Sequence, residues 1–214
     1  MHLDILPSEQ QKLAILLGDC PFVKDFYLAG GTALALQIGH RQSIDFDFFS
    51  EKPFYAEKLL REIEDHFKTP VQTLQADKQT LMVILNGVRV SFFGDYGFSL
   101  IGKTLREFYF PIASLEDIFA MKLLAVQHRT EMKDYVDILA LVGHSGLNLN
   151  KGIYWAQKKF GGSFNPIISL KALVYFDDLN SKELSAIAFF SKKSSVSFKL
   201  LKQRLISAVK AVKI

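Results

Sequence analysis

The sequence predicts an α+β fold, with an α/β N-terminal half (1–110) leading into an all-helical half (111–214). Three observations carry this. Before Pro111, short apolar runs alternate with a period of two, and two of them are joined by Asn86-Gly87, a strong two-residue hairpin signal. Beyond Pro111 the apolar spacing becomes helical and stays so. The 214 residues are 49% hydrophobic and 22% charged, enough for a sizeable core and too apolar for wholesale disorder.

Taken in order, Ser8 to Leu17 has apolar residues at helical spacing, with Ser8 as a candidate N-cap. Asp25 to Ala29 reads as a strand running into the Gly30-Gly31 turn, and Thr32 to Ile38 as a helix that Gly39 stops. Ser43 to Phe49 alternates, placing Asp45, Asp47 and Phe49 on one face and Ile44, Phe46 and Phe48 on the other. Phe54 to Phe67 is a charged amphipathic helix, followed by strands at Val71–Leu74, Thr80–Leu85 and Val88–Phe93. Ser114 caps a helix from Leu115 to about His128, and a second covers about Glu131 to Val142. Further helices are expected at 151–159, 166–176 and 198–212. The phenylalanines of this half and Trp155 read as helical core.

Several classes are excluded. No apolar run approaches the ~20 residues of a membrane helix, and the start lacks the layout of a secretory signal, so the chain is expected to be cytoplasmic with no membrane partner. A single cysteine, Cys20, rules out a disulfide framework. The five histidines show no zinc-ligand spacing. The net charge of +4 is unevenly spread: residues 1–149 hold 14 Lys+Arg and 19 Asp+Glu (−5), and residues 150–214 hold 12 and 3 (+9). A basic tail points to a phosphate-rich partner or a solvated helix face.

The chemistry concentrates in Leu28-Ala29-Gly30-Gly31-Thr32, a spacer, then Asp45-Phe46-Asp47-Phe48. Carboxylates at i and i+2 of a strand share a face with α-carbons ~6.5 Å apart. Two anions that close repel unless a cation lies between them, so the pair predicts a divalent metal, magnesium or manganese, on Asp45 and Asp47. Gly30-Gly31 permits close backbone approach to phosphate, and the following helix aims its N–H groups at the same place. His40, beside Arg41, is either a phosphate contact or a plain loop histidine, the latter being the default. Lys122 projects from an apolar helix segment and either needs an anionic partner or snorkels to water. Lys133 and Asp137 are either an i,i+4 surface pair, or Asp134 and Asp137 orient Lys122 or Arg129.

These motifs resemble the minimal nucleotidyltransferases of the DNA polymerase β superfamily. Residues 29–36, 40–49, 117–125 and Lys133-Asp134-Tyr135-Val136-Asp137 are more narrowly similar to the AbiEii/AbiGii toxin family. The resemblance implies a nucleotidyltransferase-like mixed sheet with flanking helices, and transfer of a nucleoside monophosphate from a nucleoside triphosphate to an acceptor. It further implies a catalytic set of Asp45, Asp47, Lys122 and Asp137, and nucleotide contacts from Gly30, Gly31, Thr32, Arg41, Ser43, Lys133 and Asp134. The implied partners are an RNA (tRNA-like) or protein acceptor and a cognate antitoxin. The sequence departs from the superfamily at one point. A third carboxylate is expected on a neighbouring strand, and Ser91 stands there: either Asp95 or Asp137 substitutes, or the acceptor proton leaves to solvent, or activity is weak.

Two other readings remain open at this level: a nucleotide-binding module without turnover, and a helical interaction protein displaying a basic surface. For an RNA acceptor, the expected phosphate contacts are drawn from Lys158, Lys159, Lys192, Lys193, Lys199 and Lys202.

Overall fold

The computed structural model describes residues 1–94, 97–191 and 194–213, so Asp95, Lys192 and Lys193 lie outside the described residues. Five strands form one sheet in the order β1-β2-β5-β4-β3: β1 Tyr27–Ala29, β2 Phe46–Phe49, β3 Gln72–Asp77, β4 Thr80–Leu85 and β5 Val88–Phe93. Only β2 and β5 run parallel, and the crossover between them contains helix α3 (Ala56–Phe67) and the β3–β4 hairpin. Asn86 and Gly87 both take positive φ (49° and 78°), which closes β4 onto β5 as the dipeptide predicts.

The two faces of the sheet differ in kind. Phe46, Phe48, Leu81, Val83, Val90 and Phe92 are fully buried, with the Phe48 and Phe92 rings stacked 5.3 Å apart. Helices α1 (Ser8–Gly18) and α3 pack on this side. The opposite face carries Asp47, Ser91 and Met82 side by side in register, and its β4 residues Thr80, Met82 and Ile84 are only half-buried. That face is where the site lies.

Residues 105–113 lead into the helical half without leaving the sheet. Leu28 N donates to Pro111 O, and Ala113 N donates to Leu28 O, both at 2.8 Å, so this segment covers the outer edge of β1. The helices that follow are α4 (Leu115–His128), α5 (Met132–Gly143), α6 (Leu149–Phe160), α7 (Pro166–Ala172), α8 (Ser181–Ala186) and α9 (Phe198–Lys210). Ser114 caps α4 by accepting from Asp117 N. Helix α2 (Gly30–Ile38) packs against both α4 and α5, and one hydrophobic core runs through the two halves.

Several boundaries differ from expectation, each for a local reason. Pro7, not Ser8, occupies the N-cap of α1. The strand expected from Asp25 begins at Tyr27, because Pro21–Asp25 winds into a 3₁₀ turn. The strand expected from Ser43 begins only at Phe46: the Gln10 side chain takes the Ile44 carbonyl at 3.1 Å, and the Thr32 hydroxyl takes that of Asp45. Those carbonyls are spent before any ladder can form. Helix α8 has no counterpart in the sequence reading, and α7 ends at Ala172, four residues before the expected limit.

Candidate active site

Asp45 and Asp47 stand at the start of β2, beside β5. The register places Asp47 directly opposite Ser91, whose hydroxyl hydrogen-bonds its carboxylate. Two residues earlier on the same face, Arg89 forms an ion pair with Asp45. Burial, then the neighbouring charge of Asp45, push the Asp47 carboxyl above the ordinary range, against the pull of Arg89, Lys122 and Ser91. The pair is electrostatically frustrated, as its spacing predicts.

The Gly-Gly step serves these side chains directly. Gly30 has φ +70°, and a Cβ there would sit 3.0 Å from Asp47 Oδ2. A Cβ on Gly31 would collide with the Arg41 guanidinium. The two glycines therefore make room for the carboxylate and the cation that face the cleft. Thr32 is buried behind them, with its hydroxyl bonded to Ser43 Oγ at 2.7 Å and to the Asp45 carbonyl. It fixes the loop that carries Ser43 and Asp45.

A buried ion-pair network backs the opposite wall. Lys122 Nζ on α4 reaches Asp134 at 2.7 Å and Asp137 at 2.6 Å, both on α5. Asp137 also accepts two bonds from Arg41, at 2.6 and 2.9 Å, and one from His40 Nε2 at 2.8 Å. Asp134 takes a further bond from Arg129 at 2.7 Å. Asp134 and Asp137 are wholly buried. Burial alone would raise Asp137, but Lys122 and Arg41 hold it well below the usual carboxylate range. Burial likewise works against the Lys122 ammonium, and Asp137 and Asp134 more than reverse it. His40 is depressed, chiefly by burial, so it donates to Asp137 as the neutral ring.

Between sheet and network lies a cleft of about 500 Å³. Of the residues the sequence singled out, Gly30, Gly31, Arg41, Ser43, Asp45, Asp47, Lys122 and Lys133 line it. Thr32, Asp134 and Asp137 stand one layer behind the wall. Asp137 is accordingly a positioning residue, with its oxygens committed to three partners. Lys133 pairs with Glu131 at 3.0 Å, and the surface pair with Asp137 does not form. Gln42 N donates to Ala188 O at 2.8 Å, so residues 186–188 close one side of the cleft. Sequence reasoning missed Arg89 and Glu131. Arg89 was within reach, because β5 alternation puts it on the face of Ser91.

The family described as "Nucleotidyl transferase AbiEii toxin, Type IV TA system" matches residues 13–189, an interval holding both acids, the network and the closing segment. The chain belongs to this family. A protein of Aquifex aeolicus (strain VF5), described as uncharacterized, is 37% identical over 180 residues, covering 81% of this chain and 84% of that protein. Among solved structures, JHP933 of Helicobacter pylori superposes with a TM-score of 0.50 at 16% identity, over 98% of this chain and 90% of that one. At that identity the likeness shows a shared fold alone. Within the matched interval, the two acids of the Lys-Asp-x-x-Asp segment of α5 hold Lys122 and Arg41 in place. No helix among the described residues is long and apolar enough to cross a membrane.

Proposed function

We propose that this AbiEii-family chain transfers a nucleoside monophosphate from a nucleoside triphosphate to an RNA acceptor, as the toxin of a toxin–antitoxin pair. The observation that carries the reading is the pairing of two neighbouring carboxylates with a ring of cations across one cleft: Arg41, Arg89, Lys122, Arg129 and Lys133 face Asp45, Asp47 and Glu131. A triphosphate needs the cations, and the acids need a metal.

The donor set fits magnesium or manganese. Among the described residues no group of three or more His, Cys, Asp or Glu side chains is arranged to hold a metal ion. Asp45 and Asp47 would supply the two protein oxygens, and substrate phosphates and water the rest, the usual division for magnesium. Bound there, the ion would neutralise charge developing on the reacting phosphate.

The chain's own residues do the rest by position and charge. Lys122 and Arg41, pre-aimed by Asp134 and Asp137, stabilise the triphosphate and the leaving pyrophosphate. Arg129 and Lys133 extend that field to the rim. The acceptor oxygen bonds to the α-phosphorus, and the bond to the bridging oxygen breaks, which leaves with the electron pair. Ser91 stands opposite Asp47 where a third carboxylate was expected, so no acid at that position receives the acceptor proton, and in this reading the proton passes to solvent. Losing general-base help costs typically ~10²–10⁴-fold without abolishing such a reaction.

The same serine favours a second reading, a nucleotide-binding protein without turnover. One experiment separates them. The protein is incubated with each α-labelled triphosphate, magnesium and total RNA, beside an Asp47→Asn control. Label in RNA that requires Asp47 supports transfer; tight triphosphate binding with no labelled product supports the module.

A further inference from the structure

Beside the polar cleft lies a second cavity, of about 280 Å³, with mainly apolar walls. Three elements of the cleft run on into it. On β1, Tyr27 is two residues before Ala29, and it pairs with Phe49 as Ala29 pairs with Asp47. On β2, Phe49 is two residues beyond Asp47, on the same face and roughly 6.5 Å along the strand. On α4, Lys122 and Arg129 are seven apart and face the cleft, whereas Met121, Leu124, Ala125 and His128 form the adjacent stripe facing the second cavity.

The junction is aromatic. The Phe49 ring lies 5.0 Å from Phe93, a cleft residue, and is stacked on Tyr27 at 6.2 Å with 24° between planes. Phe98 and Phe160 meet edge to face at 4.9 Å on the far wall. Cleft and cavity thus lie side by side along β2 and α4, the one cationic and carboxylate-bearing, the other aromatic.

We infer that the aromatic cavity receives the base of the nucleoside triphosphate whose phosphates occupy the cleft. The inference rests on the reading of the cleft as a nucleotide site. A nucleoside triphosphate has the same polarity as the two side by side: a polyanion at one end, a flat ring at the other, with the ribose between. Phe49, half-buried and backed by the buried Tyr27, offers an aromatic surface, which every base can use through its π-face. Ser50 and His128 are the polar groups available to meet the edge of a base. The α-phosphate then lies toward Asp47, the acid nearest the junction.

The test compares each of the four nucleoside triphosphates with inorganic tripolyphosphate, all with magnesium, by calorimetry on the full chain. At least one nucleotide is expected to bind tenfold or more tightly than tripolyphosphate. Ala125→Phe places a ring inside the cavity from a half-buried helix position. It should erase that preference and leave tripolyphosphate affinity unchanged. Phe49→Leu, which keeps the apolar volume but removes the stacking plane, should reduce the preference severalfold and serves as the independent variant if Ala125→Phe does not fold. Equal wild-type affinity for tripolyphosphate and every nucleotide would overturn the base site while leaving the phosphate cleft standing. A preference left undiminished in either folded variant would overturn it too. So would loss of RNA affinity alone in those variants, which would assign the cavity to the acceptor. If neither tripolyphosphate nor nucleotide binds, the reading of the cleft itself fails, and the base site with it.

Discussion

Arg89 lies closest to the chemistry of the residues that sequence reasoning passed over. Its guanidinium neutralises Asp45 while its side chain remains 44% exposed. A cation that takes Asp45 must displace it, and Arg89 is then free to turn to the phosphates in the same cleft. Arg89→Ala should therefore strengthen manganese binding without nucleotide by roughly two- to five-fold, the worth of an exposed ion pair, and weaken triphosphate binding. Calorimetry with each ligand checks this; unchanged manganese affinity would remove Arg89 from the metal site. Asp47 calls for the opposite sign of stability change. Its folded pKa is raised, so its ionised form costs stability above that value, and the cost disappears as pH falls through it toward the ordinary ~3.9. Asp47→Asn should raise the melting temperature at neutral pH and lose divalent-ion binding and turnover. Its stability advantage should vanish at acid pH. A variant less stable than wild type at pH 7 would refute the frustrated pair.

Among the elements, α5 acts as the clamp. It lays Asp134 and Asp137 under α4 and the residue 40–41 loop, so that Lys122 and Arg41 reach the cleft already held in place. Removing one partner of a buried pair costs about 3–5 kcal/mol. Asp137→Asn should lower stability by that order, and denaturant titration at pH 7 measures it. Because the folded pKa of Asp137 is depressed, its contribution is complete above about pH 4 and is lost as pH falls toward the folded value. The gap between wild type and variant should accordingly narrow below pH 4; a constant gap would mean that the charge of Asp137 is not what stabilises. The capped helix α4 and the β4–β5 hairpin were legible in the sequence because their signals are local: a Ser cap, an Asn-Gly turn, an alternating run. The acid strand was legible for the same reason; the Gly-Gly step was located too, but the two glycines open α2 rather than forming a turn before it. The true start of β2 was not, since it depends on Gln10 and Thr32 taking carbonyls at separations of 34 and 13 residues. The network was only half legible: i,i+3 spacing placed Asp134 and Asp137 on one face, but their partners at residues 40, 41, 122 and 129 come together only in the folded chain.

Across the whole molecule the charge asymmetry bears on the proposed acceptor. The N-terminal part carries −5 and spends its cations on the cleft; residues 150–214 carry +9, without a comparable set of acids to absorb it. The structure alters which of those lysines are available. Lys159 is turned inward, with Nζ 2.7 Å from Asp117 and 2.9 Å from the Ser99 carbonyl, so it cannot contact RNA as the sequence led one to expect. Lys202 lies 5.2 Å from the Phe176 ring and 5.3 Å from Phe198, half-buried. Lys158 and Lys199 are exposed. An RNA bound across this surface would release roughly 0.7–0.9 counterions per phosphate neutralised, giving a log–log salt slope of that size per contact. The expected result is a slope of at least about two for the wild type, reduced by about one unit in Lys199→Gln and unchanged in Lys159→Gln. An acidic antitoxin docking on the same face also uses the charge, but it has no condensed counterion atmosphere to release. A flat salt dependence of RNA affinity, or no RNA binding between 50 and 200 mM salt, would reject the RNA acceptor and leave a protein partner as the occupant of the basic face.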